Sequence, residues 1–284
     1  MDIEFKSYLK EFTERSLAED VQEGDHTSLS TIPEEVVEEA VFLAKEQGVL
    51  AGIDVAREMW ALIDPEIECN VFINDGQEVQ AGDEIMRIKG SAHSILKGER
   101  LVLNVMQRMS GIASKTKHYV DEIRHTEAKV LDTRKTTPLL RPLEKKAVEL
   151  GGGRNHRFGL YDMILIKDNH VDYAGGIREA LSKTYVYLAA KELAIPVEIE
   201  VRDFDELEEV LAFGKVDRIM LDNFTPEQVR EAVQKIGGKH ETEASGGITL
   251  ETIQAYAETG VDFISVGDLT HSVKSLDISL KAIR

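Results

Sequence analysis

The spacing of apolar positions names the elements of the first hundred residues. Ile3, Tyr8, Leu9 and Phe12 recur at helical spacing, so the chain opens on an amphipathic helix. That helix ends near EDVQEGDHTS (19–28), where Gly24 and its Asp, Thr and Ser neighbours carry turn chemistry. AVFLAKEQGVLAG (40–52) follows as a strand ending in Gly, and DVAREMWALID (54–64) as a helix with Asp54 at its N-cap. EIECNVFI (66–73) and DEIMRIKGS (83–91) predict two strands joined around the turn pair Asp75 and Gly76. A long helix from about His93 to Met109 places Leu96, Leu101, Val105 and Met109 on one face, a stripe that reads as core or subunit contact. Arg100 and Arg108, on the same helix, read from spacing alone as solvated or paired surface residues.

From residue 128 the rhythm changes to short β-rich runs alternating with amphipathic helices. AKVLD (128–132), MILIK (163–167), PVEIEV (196–201), DRIMLD (217–222), HETEAS (240–245) and DFISVG (262–267) predict six strands. Between them lie helical patterns such as PLEKKAVEL (142–150), DFDELEEVLAFG (203–214) and PEQVREAVQKIG (226–237). This is the signature of βα units on a parallel sheet, and six units predict an incomplete barrel, since eight is the standard number.

Composition narrows the setting. The 284 residues suffice for two moderate domains, and a formal net charge of -18 opposes nucleic acid, whose backbone attracts Lys and Arg. Cys69 is the single cysteine, so no intrachain disulfide can form, and a reducing compartment is expected. The N-terminus lacks a basic stretch followed by an apolar run, and no run approaches the roughly 20 apolar residues of a membrane span. The expectation is a cytoplasmic protein without membrane or nucleic-acid partners.

Against this acidic background, residues 132–170 form a basic island, with eight Lys and Arg against five Asp and Glu, a net of +3. Cations gathered in one concavity repel each other and call for a polyanionic small ligand. The predicted strand ends agree. In barrels chemistry sits at the C-terminal ends of strands, and these ends carry Asp132, Arg134, Lys135, Lys167, Asp168, Glu200, Asp222, Asn223, Ser245, Gly246, Gly247, Gly267 and Asp268.

Each group has a chemical reason to be there. Arg134, Arg157 and Lys167 suit carboxylates and phosphates. Glu200 and Asp222, on adjacent strands, can hold Mg2+ or accept hydrogen bonds from ribose hydroxyls. SGGI followed by LETIQAYA predicts a glycine turn entering a helix, whose amides and dipole favour phosphate, with Gly267 supplying more amides. His156 can donate to a carboxylate or serve as a structural hydrogen-bonder. Zinc is disfavoured because no tight two-His-plus-acid spacing appears, and no GxSxG elbow supports a serine hydrolase.

These residues resemble the quinolinate phosphoribosyltransferase family, also called nicotinate-nucleotide pyrophosphorylase (carboxylating). The stretch DTRKTTPLLRPLEKKAVELGGGRNHRFGLYDMILIKDNHV looks like its signature, and EDVQEGDHTS, GVLAG, GERLVLNVMQRMSGIAS, VEIEV, IMLDNF, EASGGIT and ISVGDLTHS match in order along nearly the whole chain. The resemblance implies an N-terminal α+β open sandwich domain (1–112) and a C-terminal incomplete α/β, TIM-like barrel (113–274), with residues 275–284 returning to the first domain. It implies phosphoribosyl transfer from phosphoribosyl pyrophosphate to quinolinate with decarboxylation, within NAD biosynthesis. By the same resemblance Arg134, His156, Arg157 and Lys167 contact quinolinate, and Arg100 arrives from the partner subunit of a homodimer with shared sites. Lys135, Glu200 and Asp222 are the catalytic residues, Glu200 and Asp222 also meeting Mg2+, and Ser245, Gly246, Gly247 and Gly267 hold phosphate. A molybdate-associated relative with another substrate, a barrel isomerase or aldolase, and a non-catalytic sensor of pyridine carboxylates remain as alternatives. The presence of both Glu200 and Asp222 favours catalysis.

Overall fold

The computed structural model describes residues 2–283. The chain divides into two compact units. One comprises the residues up to Lys117, Pro142–Gly152 and the chain from Ser272 onward; the other comprises His118–Arg141 and Gly153–His271. The expected division differs in three places: the first stretch runs to Lys117, not to residue 112, the returning segment begins at Ser272, not at residue 275, and Pro142–Gly152 belongs with the first unit.

The first unit opens with helices α1 (Ile3–Asp20) and α2 (His26–Thr31), capped by the Asp2 and Asp25 carboxylates. Leu9 is buried on α1, whereas Ile3 is 89% exposed and lies outside the core its spacing suggested. The run expected as one strand over 40–52 is split into β1 (Val37–Ala44) and β2 (Gly48–Val49). The Glu46 carboxylate between them accepts from the Asp277 amide at 2.9 Å, fixing the bend.

Helix α3 (Ile53–Ile63) does not use Asp54 as its cap. Gly52 occupies the cap position at φ 102°, and Asp75 takes the amides of Gly52, Ile53 and Asp54 at 2.6, 2.8 and 3.2 Å. The expected hairpin is also more elaborate. Strands β3 (Glu68–Val71) and β5 (Glu84–Ser91) pair antiparallel, but between them β4 (Glu78–Val79) leaves to pair with β2. The C-terminal strand Ile278–Ala282 pairs antiparallel with β1, completing a sheet in the order C-terminal strand, β1, β5, β3. Phe42 and Trp60, both fully buried, meet edge to face between this sheet and α3, with centroids 6.5 Å apart.

Helix α4 runs from Ala92 to Ile123, far beyond the expected end at Met109. Gly111 does not stop it. A Cβ there would lie 2.3 Å from the Lys274 carbonyl oxygen, so this glycine serves close backbone approach. Val105 and Met109 are buried as expected, while Leu96 is 43% exposed. Arg108 is paired: its Nε and Nη2 donate to Oε1 of the buried Glu144 at 2.8 and 2.6 Å.

The second unit carries β6 (Lys129–Leu131), β7 (Ile164–Ile166), β8 (Val197–Val201), β9 (Arg218–Asp222), β10 (Glu241–Ser245) and β11 (Phe263–Ser265). All neighbours are parallel, in the order β6-β11-β10-β9-β8-β7. Strands β6 and β7 are the two edges, so the six predicted strands form an incomplete barrel. Every residue of β8 is buried, Glu198 and Glu200 included, so its inward face is polar where most barrels carry branched aliphatics.

Candidate active site

A cavity of about 800 Å³ opens at the C-terminal ends of these strands. Its walls include Arg134, Lys135, His156, Arg157, Lys167, Glu200, Asp222, Ser245, Gly246, Gly247 and Gly267. Every candidate residue from the barrel half of the sequence therefore meets in one place. Arg100 does not join them. It sits on α4 in the first unit with a 69% exposed side chain whose ion partner is the adjacent Glu99 at 3.3 Å. The basic island is likewise divided: Lys145 is buried on the helix Arg141–Leu150, and Arg141 donates to the Phe158 carbonyl at 2.9 Å.

The cationic end is built from three loops. Arg134 follows β6, Lys167 follows β7 at the N-cap of the next helix, and Arg157 lies on the loop leading into β7, its Nη1 donating to the Met163 carbonyl at 3.3 Å. Burial, and then the neighbouring Arg134, push the Arg157 pKa below its ordinary value. Two guanidiniums that disfavour each other in a half-buried setting are a cradle for an anion.

Across the cavity, Lys167 Nζ donates to Glu200 Oε2 at 2.8 Å. Asp222 Oδ2 accepts from Asn223 Nδ2 at 2.6 Å, yet burial still holds its carboxyl above the usual range despite Lys167 nearby. Lys135 is exposed on the rim, with its backbone anchored by the Thr133 hydroxyl at 3.0 Å and the Thr270 hydroxyl at 2.9 Å.

The glycine end departs from expectation in one respect. The helix after SGGI begins only at Ile253 and spans five residues, because the Thr249 and Thr252 side chains close a separate turn first. The backbone itself, with Gly246 at φ 103° and Gly247 at φ 60°, lines this end instead of a helix terminus. A Cβ on Gly246 would lie 2.3 Å from Asn223 Oδ1, and one on Gly267 would lie 2.9 Å from Lys135 Cδ. Gly246, which also adopts a positive φ, requires glycine, whereas the flexible end of Lys135 could move aside at Gly267.

At the floor of the cavity lies a charged layer of which the sequence singles out only His156. His156 Nε2 is 3.0 Å from Glu198 Oε2 and 3.4 Å from Glu243 Oε2, and both carboxylates are fully buried. Arg218 Nη1 donates to Glu243 Oε2 at 3.0 Å. The three possible ligand atoms of His156, Glu198 and Glu243 lie within 4.8 Å of one another, but the Arg218 guanidinium already compensates one carboxylate, so the group reads as an ion-pair cluster.

Its protonation is set by opposed demands. Burial opposes an imidazolium, and the two carboxylates outweigh it, drawing the His156 pKa up to about 9. The Arg157 amide, however, donates to Nδ1 at 2.7 Å, which requires a bare nitrogen there. The neutral ring with its proton on Nε2 satisfies that hydrogen bond. The further proton attracted to the cluster then resides on Glu198, whose carboxyl is pushed up to about 7 by burial and by Glu243.

An incomplete barrel whose cavity has a cationic end, a carboxylate pair and a glycine-lined end is suited to anionic ligands. Known proteins with this arrangement are recognisable at the sequence level. Residues 25–110 match the model of the quinolinate phosphoribosyl transferase N-terminal domain, and residues 112–281 match that of its C-terminal domain. The chain is 46% identical over 96% of its length, and 82% of the relative's, to quinolinate phosphoribosyltransferase (decarboxylating) 2, mitochondrial, of Nicotiana glauca. It is 44% identical to the probable nicotinate-nucleotide pyrophosphorylase (carboxylating) of Bacillus subtilis strain 168, over 96% and 92% of the two chains. The solved structure of the nicotinate-nucleotide pyrophosphorylase from Francisella tularensis superposes with a TM-score of 0.91 at 40% identity, covering 98% of this chain and 97% of that one. The chain belongs to the quinolinate phosphoribosyltransferase family.

Proposed function

We propose that the protein transfers the phosphoribosyl group of phosphoribosyl pyrophosphate to the ring nitrogen of quinolinate and releases the 2-carboxylate, giving nicotinate mononucleotide, pyrophosphate and CO2 for NAD biosynthesis. The observation that carries this reading is the gathering of Arg134, Arg157 and Lys167 at one end of a cavity whose other end is lined by Ser245, Gly246, Gly247 and Gly267. The first set suits the two carboxylates of quinolinate and the second the 5-phosphate of the ribose.

Glu200 and Asp222 lie between the two ends. As the bond to pyrophosphate breaks, positive charge develops on C1 of the ribose, and these carboxylates stabilise it more than they stabilise the ground state. The quinolinate nitrogen attacks C1 and becomes a pyridinium. The bond from C2 to its carboxylate then breaks, its electron pair stays at C2 beside the cationic nitrogen, and a proton from solvent replaces the CO2. Lys135, on the rim, faces the anionic substrates. The oxygen donors of Glu200 and Asp222 fit Mg2+, and the raised pKa of Asp222 marks a carboxylate short of cationic compensation. Held there with the substrate, Mg2+ would offset charge on the leaving pyrophosphate.

Incubating the purified protein with quinolinate, phosphoribosyl pyrophosphate and Mg2+ is expected to yield nicotinate mononucleotide. Absence of that product under saturating conditions contradicts the assignment. The lone Cys69 and the absence, among the described residues, of a helix able to cross a membrane support a cytoplasmic setting.

The active form in this reading is a homodimer in which Arg100 completes the partner's site. Its exposure on α4, outside the residues that line the cavity of its own barrel, supports this. Mixing the inactive variants Arg100→Ala and Lys167→Ala under subunit exchange is expected to restore roughly a quarter of wild-type activity, since half the dimers are mixed and each holds one intact site. No recovery despite confirmed exchange contradicts the shared site.

A further inference from the structure

His156 lines the cavity, but both of its ring nitrogens are engaged by the protein. Nε2 faces Glu198 at 3.0 Å and Glu243 at 3.4 Å, and Nδ1 accepts the Arg157 amide at 2.7 Å. The His156 amide is itself held, donating to Asp132 Oδ1 at 2.8 Å. The ring is therefore fixed on three sides and offers no polar atom to a substrate carboxylate. What it controls is its neighbour: the backbone of Arg157 is pinned by the same imidazole that the barrel floor clamps.

We propose that His156 is a positioning residue, clamped by Glu198 and Glu243 on the strands beneath the cavity, and that it acts on quinolinate only by fixing the Arg157 backbone and so aiming its guanidinium at the dianion. This rests on the quinolinate reading above. The chain of contact runs from β8 and β10 through the imidazole to the loop that carries Arg157. The strands of the barrel thereby set a cation that is carried on a loop. Glu198 and Glu243 are included for a geometric reason. They lie two residues before Glu200 and Ser245 on their strands, so they share the inward face with those residues one layer deeper in the barrel.

A double-mutant cycle separates positioning from direct contact. The full-length protein is assayed for the KM of each substrate and for quinolinate affinity by calorimetry. His156→Leu, which removes both ring nitrogens, is expected to raise the quinolinate KM and dissociation constant about tenfold, within the coupling range of residues in one network. The KM for phosphoribosyl pyrophosphate should change little. In an Arg157→Ala background the same substitution should add less than about a twofold loss, because nothing remains to be aimed. His156→Asn should rescue, since its side-chain oxygen stands where Nδ1 stood and can still accept the Arg157 amide. Its quinolinate KM is expected within about threefold of wild type.

Additive losses in the Arg157→Ala background, or an Asn variant as impaired as the Leu variant, would overturn the proposal in favour of direct contact with the substrate. If the Leu variant does not fold, the Asn variant decides alone: a quinolinate KM more than about threefold above wild type overturns the proposal, and a smaller change supports it. A wild-type protein that binds quinolinate but forms no nucleotide counts against the reaction proposed above and leaves the cycle readable on affinity. A wild-type protein that fails to bind quinolinate removes the reading on which both rest.

Discussion

Glu198 shows how a single side chain ties stability to pH in this fold. Burial and the neighbouring Glu243 push its carboxyl up to about 7 in the folded barrel, above the ordinary 4.5 that serves for the unfolded chain. The folded state therefore binds a proton that the unfolded state has released, and stability declines as pH rises from about 4.5 through about 7 and beyond. Thermal unfolding of the metal-free protein is thus expected at a lower temperature at pH 8.5 than at pH 6, in roughly that window. Glu198→Gln should flatten the dependence, because it removes the group that must ionise. A melting temperature that stays level or rises over that range in the wild type would show that the buried cluster does not hold the proton.

Individual side chains of this layer were also the least legible part of the sequence. The cavity-lining residues at the strand ends are legible in the sequence, because a charged or glycine residue after an apolar run stands out. Glu198 and Glu243 look instead like solvated positions in VEIEV and ETEAS. The available signal was the period of two: once Glu200 and Ser245 are placed on the inward face, Glu198 and Glu243 must share it. What hid them is the usual expectation that a barrel interior is aliphatic.

Among whole elements, the six parallel strands were read close to their observed ends, since short β-rich runs bounded by turn residues leave little choice. The first unit was harder because its elements depend on distant partners. Asp54 stands where a cap is expected, yet Asp75, 22 residues from Ile53, accepts the α3 amides. Local sequence cannot report such a partner, and Asp75 had its own local role in the predicted turn. Asp75→Ala is expected to destabilise the protein by about 1 kcal/mol or somewhat more, because it strips an N-terminal acceptor that serves three amides. Asp54→Ala should change stability much less. Denaturant unfolding of the two variants makes the comparison, and equal losses would contradict the cap assignment. The extended α4 has a similar cause. Gly111, just past the expected end at Met109, looks like an interruption in sequence, but it is a site of close packing against the Lys274 and Ser275 backbone, as Gly98 is against Trp60.

For the whole molecule, an acidic protein presents one cationic end of one cavity, and family membership gives that end its meaning. In the proposed reaction a dianion would be held where Arg134, Arg157 and Lys167 converge, with phosphoribose toward the glycines and the two meeting at Glu200 and Asp222. The distinctive consequence is that ribosylation and loss of one carboxylate are the work of one site. Quinolinate carrying isotope in its 2-carboxylate, supplied with phosphoribosyl pyrophosphate and Mg2+, tests this most directly. The account predicts that the label leaves as CO2 in step with nicotinate mononucleotide, one for one. Label retained in a ribosylated product, or nicotinate mononucleotide formed without labelled CO2, would contradict it.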